Sequence, residues 1–364
     1  SDICKKIILR FSSFFLVFLC ALSASAQTAR KYSNEFLNIG VDAGAFGMAN
    51  AVVASSGDVN SGYWNPAGLL DLEDQQMAIM HAAYFANIAN YDYAGFAMPL
   101  DNTSAFGLSV IRFGVDNILN TTQLIDDQGN INYDNIKLFS TADYALTLSY
   151  AKRFPMLGLK LGGNAKIIRR VIGEFASSWG FGFDLGLQYQ SNNNWHYGLM
   201  VRDITTTFNT WSIDQEAFAT IQDAVFGQNQ SLPETTEITL PKAQLGVAKQ
   251  WNFRNDLSLR SELDLNVRFA QTNDLFSGES LSMTPALGAE VGYLDTVYVR
   301  LGAGNFQQVT QIEGGQTTGF QPNIGVGFVF KGVAIDYALT DIGDQSTALY
   351  SNVFSLKIDW AYFR

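Results

Sequence analysis

Few side chains in this 364-residue chain could carry reaction chemistry. Its only histidines, His81 and His196, are far apart, each within a strand-like run. A metal centre or a nucleophile–base pair needs converging groups, and neither histidine has them nearby. Both read as structural or lumen residues. Asp126-Asp127-Gln128-Gly129-Asn130 has the composition of a calcium loop, but its glycine does not follow the acidic ligands at the required spacing. A turn at a loop tip is the better reading. No GxGxxG follows a strand, no phosphate-binding loop ends in Lys-Ser/Thr, and no GxSxG elbow is present. Cys4 and Cys20 both fall in an apolar leader, so the mature chain is expected to have no thiol chemistry, disulfide or Cys-based metal site. The expectation is a non-enzyme with no cofactor and no metal.

Residues 1–26 read as a secretory signal peptide. Lys5, Lys6 and Arg10 form a positive start, Phe14 to Leu22 an apolar run, and Ala24-Ser25-Ala26 a small-x-small cleavage site before Gln27. As a retained anchor the run is too short to span comfortably. Leu19 stands where a lipoprotein signal wants a small residue, which argues against lipidation at Cys20. Losing Asp2 and the three basic residues takes the formal net charge from −11 to about −13. Such an acidic chain is expected to have no nucleic-acid partner.

Residues 27–72 read as a lead-in followed by a plug. Between Val41 and Leu69 only Asp42 and Asp58 ionise, and Gly, Ala, Ser and Val dominate. The stretch has neither the length nor the periodicity of a membrane helix. Glycine permits the close backbone approach that folding inside a narrow lumen requires. Gly44, Gly47, Met48, Trp64, Asn65, Pro66 and Gly68 are the candidate plug residues, with Trp64-Asn65-Pro66-Ala67-Gly68 forming a turn cluster.

The elements that must surround such a plug come next. Residues 73–364 carry fourteen strand candidates, near 75–84, 90–100, 103–115, 141–153, 157–171, 177–190, 195–205, 236–250, 255–269, 282–292, 296–304, 319–330, 332–340 and 351–363. In Trp179–Gln190 the apolar face is Trp179, Phe181, Phe183, Leu185, Leu187 and Tyr189, against Gly180, Gly182, Asp184, Gly186 and Gln188. In Leu257–Phe269, Ser258, Arg260, Glu262, Asp264, Asn266 and Arg268 oppose Leu257, Leu259, Leu263, Leu265, Val267 and Phe269. The first two strands alternate poorly. Alternation over ten or more residues exceeds the usual soluble strand and matches the roughly nine to eleven residues of a tilted bilayer crossing. Strands in a bilayer must close into a barrel. Connections after even-numbered strands are short and most after odd-numbered ones are long, the asymmetry of short periplasmic turns and long external loops. The expected fold is all-β: a 14-stranded antiparallel transmembrane barrel of the outer membrane, in contact with membrane lipid, with an N-terminal plug in the lumen. The inward charges, among them Lys166, Asp184, Arg202, Arg300, Asp336 and Lys357, have mixed signs. They read as an internal ion-pair lattice; no ring of one sign favours a porin.

The external loop 206–235 offers a partner-binding candidate. Ile213, Ala217, Ile221 and Val225 recur every four residues, with Phe218 beside them and Trp211 and Phe226 flanking, which predicts a short amphipathic helix. Its apolar face either packs over its own barrel mouth or docks a protein.

Phe36–Met48, Ala51-Val52-Val53-Ala54 and Tyr63–Leu69 resemble the PorV/PorQ family, related to FadL-type transporters that share the Asn-Pro-Ala element. The Trp-Asn-Pro-Ala and Gly-x-x-Gly-Met segments resemble PorV more than PorQ. Gly44-Ala45-Phe46 and Ala67-Gly68-Leu69 depart from more basic PorV forms, as a PorV-like paralogue would. The resemblance implies an outer-membrane, FadL-like barrel of the type IX secretion system of Bacteroidota, exported through Sec. It also implies partners: a SprA-like translocon, the C-terminal signal domains of secreted cargo, and the PorU-type attachment complex. The alternative function is a FadL-like transporter of hydrophobic small molecules.

Overall fold

The structure, a computed structural model, describes residues 33–84, 87–125, 128–154, 158–224, 235–253, 256–310, 315–340 and 350–363. The leader, Asp126, Asp127, Val225 and Phe226 lie outside them. Fourteen antiparallel strands run in chain order: β1 Gln76–Tyr84, β2 Ala89–Asp101, β3 Ser104–Asn120, β4 Lys137–Phe154, β5 Leu159–Ile172, β6 Ala176–Gln190, and β7, made of Trp195–Arg202 and Thr207–Ile213. They continue with β8, made of Thr236–Thr239 and Lys242–Asn252, then β9 Leu257–Arg268, β10 Ser282–Tyr293, β11 Val297–Thr310, β12 Gln316–Phe330, β13 Val333–Thr340 and β14 Ser351–Asp359. The pair Phe276–Ser277 lies beside β10. β1 pairs with both β2 and β14, so the sheet closes on itself and leaves no edge.

Outward positions carry large exposed apolar side chains, for example Phe181, Phe183 and Leu185 on β6, Val299 and Leu301 on β11, and Val326 and Phe328 on β12. In a soluble protein such faces would be covered; here they form the outer surface of an outer-membrane barrel fold. Among the described residues no helix is long and apolar enough to cross a membrane.

Four strand ends, at three places, extend beyond the sequence expectation, for one physical reason. β3 and β4 pair out to Asn120 and Lys137 past a register shift between Val115 and Ile118, where Asn117 has φ 60. β11 continues to Thr310 past a shift at Gly304/Gln307, with Asn305 at φ 49. β7 resumes at Thr207 after a break at which Asp203 and Thr206 take φ 55 and 60. Each bulge resets the period-two pattern, so a strict alternation rule stops there. At the other end of the chain, β14 stops at Asp359 and a 3-10 turn follows over Trp360–Phe363.

The core lies within the barrel and is lopsided. β1 and β2 present Ala78, Met80, Ala82, Tyr91, Tyr93 and Ala97 inward, packed against Phe36, Phe46, Trp64 and Leu69 of the N-terminal segment. Both faces of these two strands are therefore largely apolar, which is why they alternate poorly in sequence. Across the lumen, β5 to β12 present charges and amides.

Candidate functional site

The chain from Ser33 to Leu72 is folded inside the barrel as four short helical turns. These are a 3-10 turn Glu35–Asn38, helix α1 Ala43–Gly47, helix α2 Ser61–Trp64 and a 3-10 turn Pro66–Asp71. Asp42 caps α1, its Oδ1 accepting the Gly44 N–H at 3.3 Å from a backbone φ of 74. Asn65 caps the last turn through Ala67 N–H, and Pro66 sits at its first position, where a missing N–H costs nothing.

Such short turns leave many backbone groups unpaired, and the barrel wall satisfies them. On β9, Asp264 Oδ2 accepts the N–H groups of Val52 and Val53 at 3.0 and 3.1 Å. Glu262, two residues away on the same face, accepts the Ala54 N–H at 2.6 Å and the Ser55 hydroxyl. Gln188 on β6 donates to the Val53 and Ser56 carbonyls at 3.2 and 2.9 Å. Asn164 on β5 donates to Gly62 O at 2.9 Å, and Arg202 on β7 to Tyr63 O at 2.9 Å while lying over the Tyr63 ring. Asn65 reaches the other way, donating to the β6 carbonyl of Leu187 at 3.0 Å. Ion pairs Lys160–Asp71 and Lys357–Asp58 tie the two ends of the lower plug segment to β5 and β14. Burial alone would push the Asp58 carboxyl up, but Lys357 and the Asn60 N–H hold it below the usual range.

Close packing of backbone on wall requires glycine at defined places. A Cβ on Gly186 would meet Asn65 Oδ1 at 2.2 Å, and one on its ladder partner Gly162 would meet Ala67 N at 2.4 Å. The paired Gly288 and Gly302 give the same clearance to Met48 and Ala49, with approaches of 2.7 and 2.3 Å.

Several other wall charges pair with each other. Lys166 bridges Asp184 and Asp203, both at 2.7 Å, across the break in β7. Arg300 contacts Glu290 and Asp336 at 2.5 Å each, and Arg260 reaches Glu290 at 3.2 Å. This is an internal lattice of mixed sign.

Among the described residues there are two larger cavities, and a much smaller one lies beside Lys166, Asp184 and Asp203. One of about 350 Å³ lies toward the long-loop end, lined by Phe46, Tyr63, Arg202, Lys242 and Arg268 among others. The second, about 330 Å³, lies toward the short-turn end, lined by Asp42, Asp58, Arg260, Glu290, Arg300 and Lys357 among others. Trp64, 4% exposed, lines both, and its indole N–H donates to Val41 O at 3.0 Å. Trp64 is the residue common to the two linings.

The residues singled out in the sequence have these positions. Gly44 faces the Arg300 guanidinium, and Gly47 lies against Gly325, where a Cβ would come within 2.9 Å of its Cα. Met48 is fully buried, with its sulfur 3.4 Å from an Arg260 nitrogen. Gly68 packs inside the segment, where a Cβ would meet Ser56 O at 2.2 Å. Trp64, Asn65 and Pro66 lie as described above. In the external loop the helix, α3, spans Gln215–Ala224 with Asp214 capping Ala217 N–H. It contains Phe218, half-buried, and Ile221. Ile213 is not in it: it ends β7, and Trp211 is a strand residue under the Arg170 guanidinium, 5.2 Å from the ring centre. The strand takes Ile213 because Ala176 on β6 pairs with it. His81 faces outward, hydrogen-bonded to Asp92 at 2.7 Å, so it is not a lumen residue. Among the described residues no cluster of three metal-ligating side chains occurs. Sequence reading put Gln188 on the inward face without a role and missed Asn164 and Gln76, whose Oε1 accepts the Val59 N–H at 3.2 Å; an amide on an otherwise alternating polar face was the available signal.

Comparison with known proteins gives a consistent picture. A family model described as type IX secretion system protein PorV matches residues 23–227. No curated protein sequence matches the chain. Among solved structures, a FadL homologue of Pseudomonas aeruginosa is similar at 13% identity, with 92% of this chain and 100% of that one covered and a TM-score of 0.51. The toluene transporter TodX of P. putida is similar at 11% identity, 88% and 98% coverage and a TM-score of 0.54. The monoaromatic hydrocarbon channel CymD is similar at 12% identity, 88% and 97% coverage and a TM-score of 0.52. At these identities the likeness is one of fold: a FadL-like barrel.

Proposed function

The chain belongs to the family of type IX secretion system protein PorV, and from that membership we propose a non-enzymatic, closed docking barrel of the outer membrane. Its external loops bind a SprA-like translocon, the C-terminal signal domains of secreted cargo, or both, and hand cargo toward a PorU-type attachment complex. Sec export and removal of residues 1–26 precede insertion. One observation supports the reading: wall side chains from β5, β6, β7, β9 and β14 hydrogen-bond the backbone of residues 43–63, as a segment that fills the lumen would need. A barrel whose lumen is occupied in this way acts through its surface. The helix α3 supplies an element there with apolar residues such as Phe218.

The test is removal of residues 215–224, leaving the β7 and β8 ends intact. The barrel is expected to keep its heat-modifiable gel mobility and to lose co-purification of translocon or cargo in gentle detergent. Retained co-purification counts against docking through this loop.

The second reading, a FadL-like transporter of hydrophobic small molecules, is favoured by the likeness to TodX and CymD. Both lumen cavities are lined by charges and amides, which weighs against it. Recovery of lipid-like ligand alone in the same pull-down would restore it.

A further inference from the structure

The 350 Å³ cavity at the long-loop end has a lining of one sign. Arg202, Lys242 and Arg268 contribute three cations, and no Asp or Glu lines it. That is unexpected in a chain of formal net charge −11, whose other lumen cavity mixes acids and bases. The three cations are not equally satisfied. Arg202 is held by Gln244 and Tyr63 O, and Arg268 has only a long approach of 3.8 Å to Asp274, outside the lining. The Lys242 ammonium, on a residue whose backbone is paired in the ladder, makes no hydrogen bond or ion pair among the described residues. The acids that act on it, Asp203 and then Glu35, are both already engaged, Asp203 by Lys166 at 2.7 Å and Glu35 by Asn38 Nδ2 at 2.7 Å.

An enclosed ammonium without a partner is costly unless something anionic completes it. The lining also carries Asn38 and Asn50, each with a buried side-chain oxygen that accepts nothing. These call for a donor on whatever fills the space. The break in β8 at 240–241 places Lys242 at the start of the lower segment, facing this cavity. A volume of 350 Å³ is within the range of small-molecule sites.

We propose that this cavity is a binding site for a small polar organic carboxylate, its anionic group held by Lys242 with Arg202 and Arg268, and its hydroxyl or amide donors met by Asn38 and Asn50. The carboxylate can belong to a short polar acid or head a fatty chain. The polar lining selects the first.

The test is calorimetric titration of the full-length barrel in lipid nanodiscs, with empty nanodiscs as the blank. The probes are glutarate, its neutral analogue glutaramide, and decanoate. Glutarate is expected to bind saturably at one site and glutaramide not to bind. Lys242→Gln should weaken glutarate at least tenfold. Asn266→Asp should do the same while keeping the acceptor for Gln244 Nε2, now 2.7 Å away, because it places a counter-ion inside the cavity. Lys249→Gln, at the short-turn end, should change nothing. Heat-dependent gel mobility verifies that each variant is folded. Equal glutarate binding in Asn266→Asp and the parent would overturn the proposal, as would glutaramide binding as tightly as glutarate. Decanoate binding in preference to glutarate would overturn the choice of a polar ligand.

Discussion

Gly186 lies flat beneath Asn65: a Cβ on it would come within 2.2 Å of Asn65 Oδ1, and the same approach leaves Asn65 Nδ2 3.0 Å from the Leu187 carbonyl. The wall is bare at this point so that the plug can hydrogen-bond to strand backbone directly. Pro66 fills the other side of the same spot, 2.8 Å from the imagined methyl. Gly186→Ala is therefore expected to cost about 1–3 kcal/mol by overpacking. The closed ladder does not depend on the segment, so the barrel should still form. Protease sensitivity of residues 33–72 and the midpoint of heat-dependent gel shift are the measurements. A variant as resistant as the parent would show that the segment can move aside freely.

Asp264 is a harsher site. It accepts two adjacent backbone N–H groups with one oxygen, while Oδ1 is buried without a partner. Asp264→Ala strands both donors in a dry interior, and about 2–4 kcal/mol of stability should go with them. Asp264→Asn keeps an acceptor at the same place and offers an amide N–H beside Glu262. It should stay within about 1 kcal/mol of the parent. Denaturant midpoints of the two variants, compared side by side, decide this. If Asn is as damaging as Ala, the charge rather than the acceptor geometry holds the turn.

How much of this could be read from the chain follows from what each side chain faces. Period-two alternation was enough to place Gly186, Asp184, Glu262 and Asp264 on inward faces, because their opposite faces are almost wholly apolar. It could not say that Glu262 and Asp264 face Val52–Ser55, since that partner lies some two hundred residues away and is fixed only when the barrel closes. The same rule faltered at β1 and β2, where Met80 and Tyr93 are apolar and inward because they meet the plug instead of water. It stopped short at Asn117 and Asp203, where a left-handed residue resets the phase. Ile213 falls outside the helix of the external loop because cross-strand pairing with Ala176 outweighs a four-residue spacing.

Trp64 lines both cavities, and its removal is expected to join them. Trp64→Ala deletes the largest side chain of the partition and the hydrogen bond to Val41 O, at a cost of about 3–5 kcal/mol. Trp64→Phe loses the hydrogen bond but keeps most of the bulk. In planar bilayers the parent and Trp64→Phe are expected to be silent and Trp64→Ala to show discrete ion conductance. Silence of a folded Trp64→Ala barrel would mean that the neighbouring Tyr63 and Phe46 suffice to close the lumen.

Asp42 gives the fold a pH dependence whose sign can be worked out. Burial, reinforced by the nearby Asp336, pushes its carboxyl up to about 6 from an ordinary 3.8. A folded-state value above the unfolded one means that the folded protein binds the extra proton between about pH 4 and 6, so ionised Asp42 is a liability above that window and none below it. The parent should therefore gain stability as pH falls from 7 to 4 at this site. Asp42→Asn keeps the Oδ1 acceptor used by Gly44 N–H and the Ser355 hydroxyl, and Asn tolerates the φ of 74. It should exceed the parent by about 1–3 kcal/mol at pH 7 and match it at pH 4. The window is set by the Asp42 shift alone, so the quantity to follow is the difference between the two proteins, in which the other titrating groups largely cancel. Urea midpoints taken at both pH values measure that difference. Parallel profiles for the two proteins would mean that Asp42 is solvated well enough to ionise without cost, and that the short-turn cavity beside it is wet in the folded state.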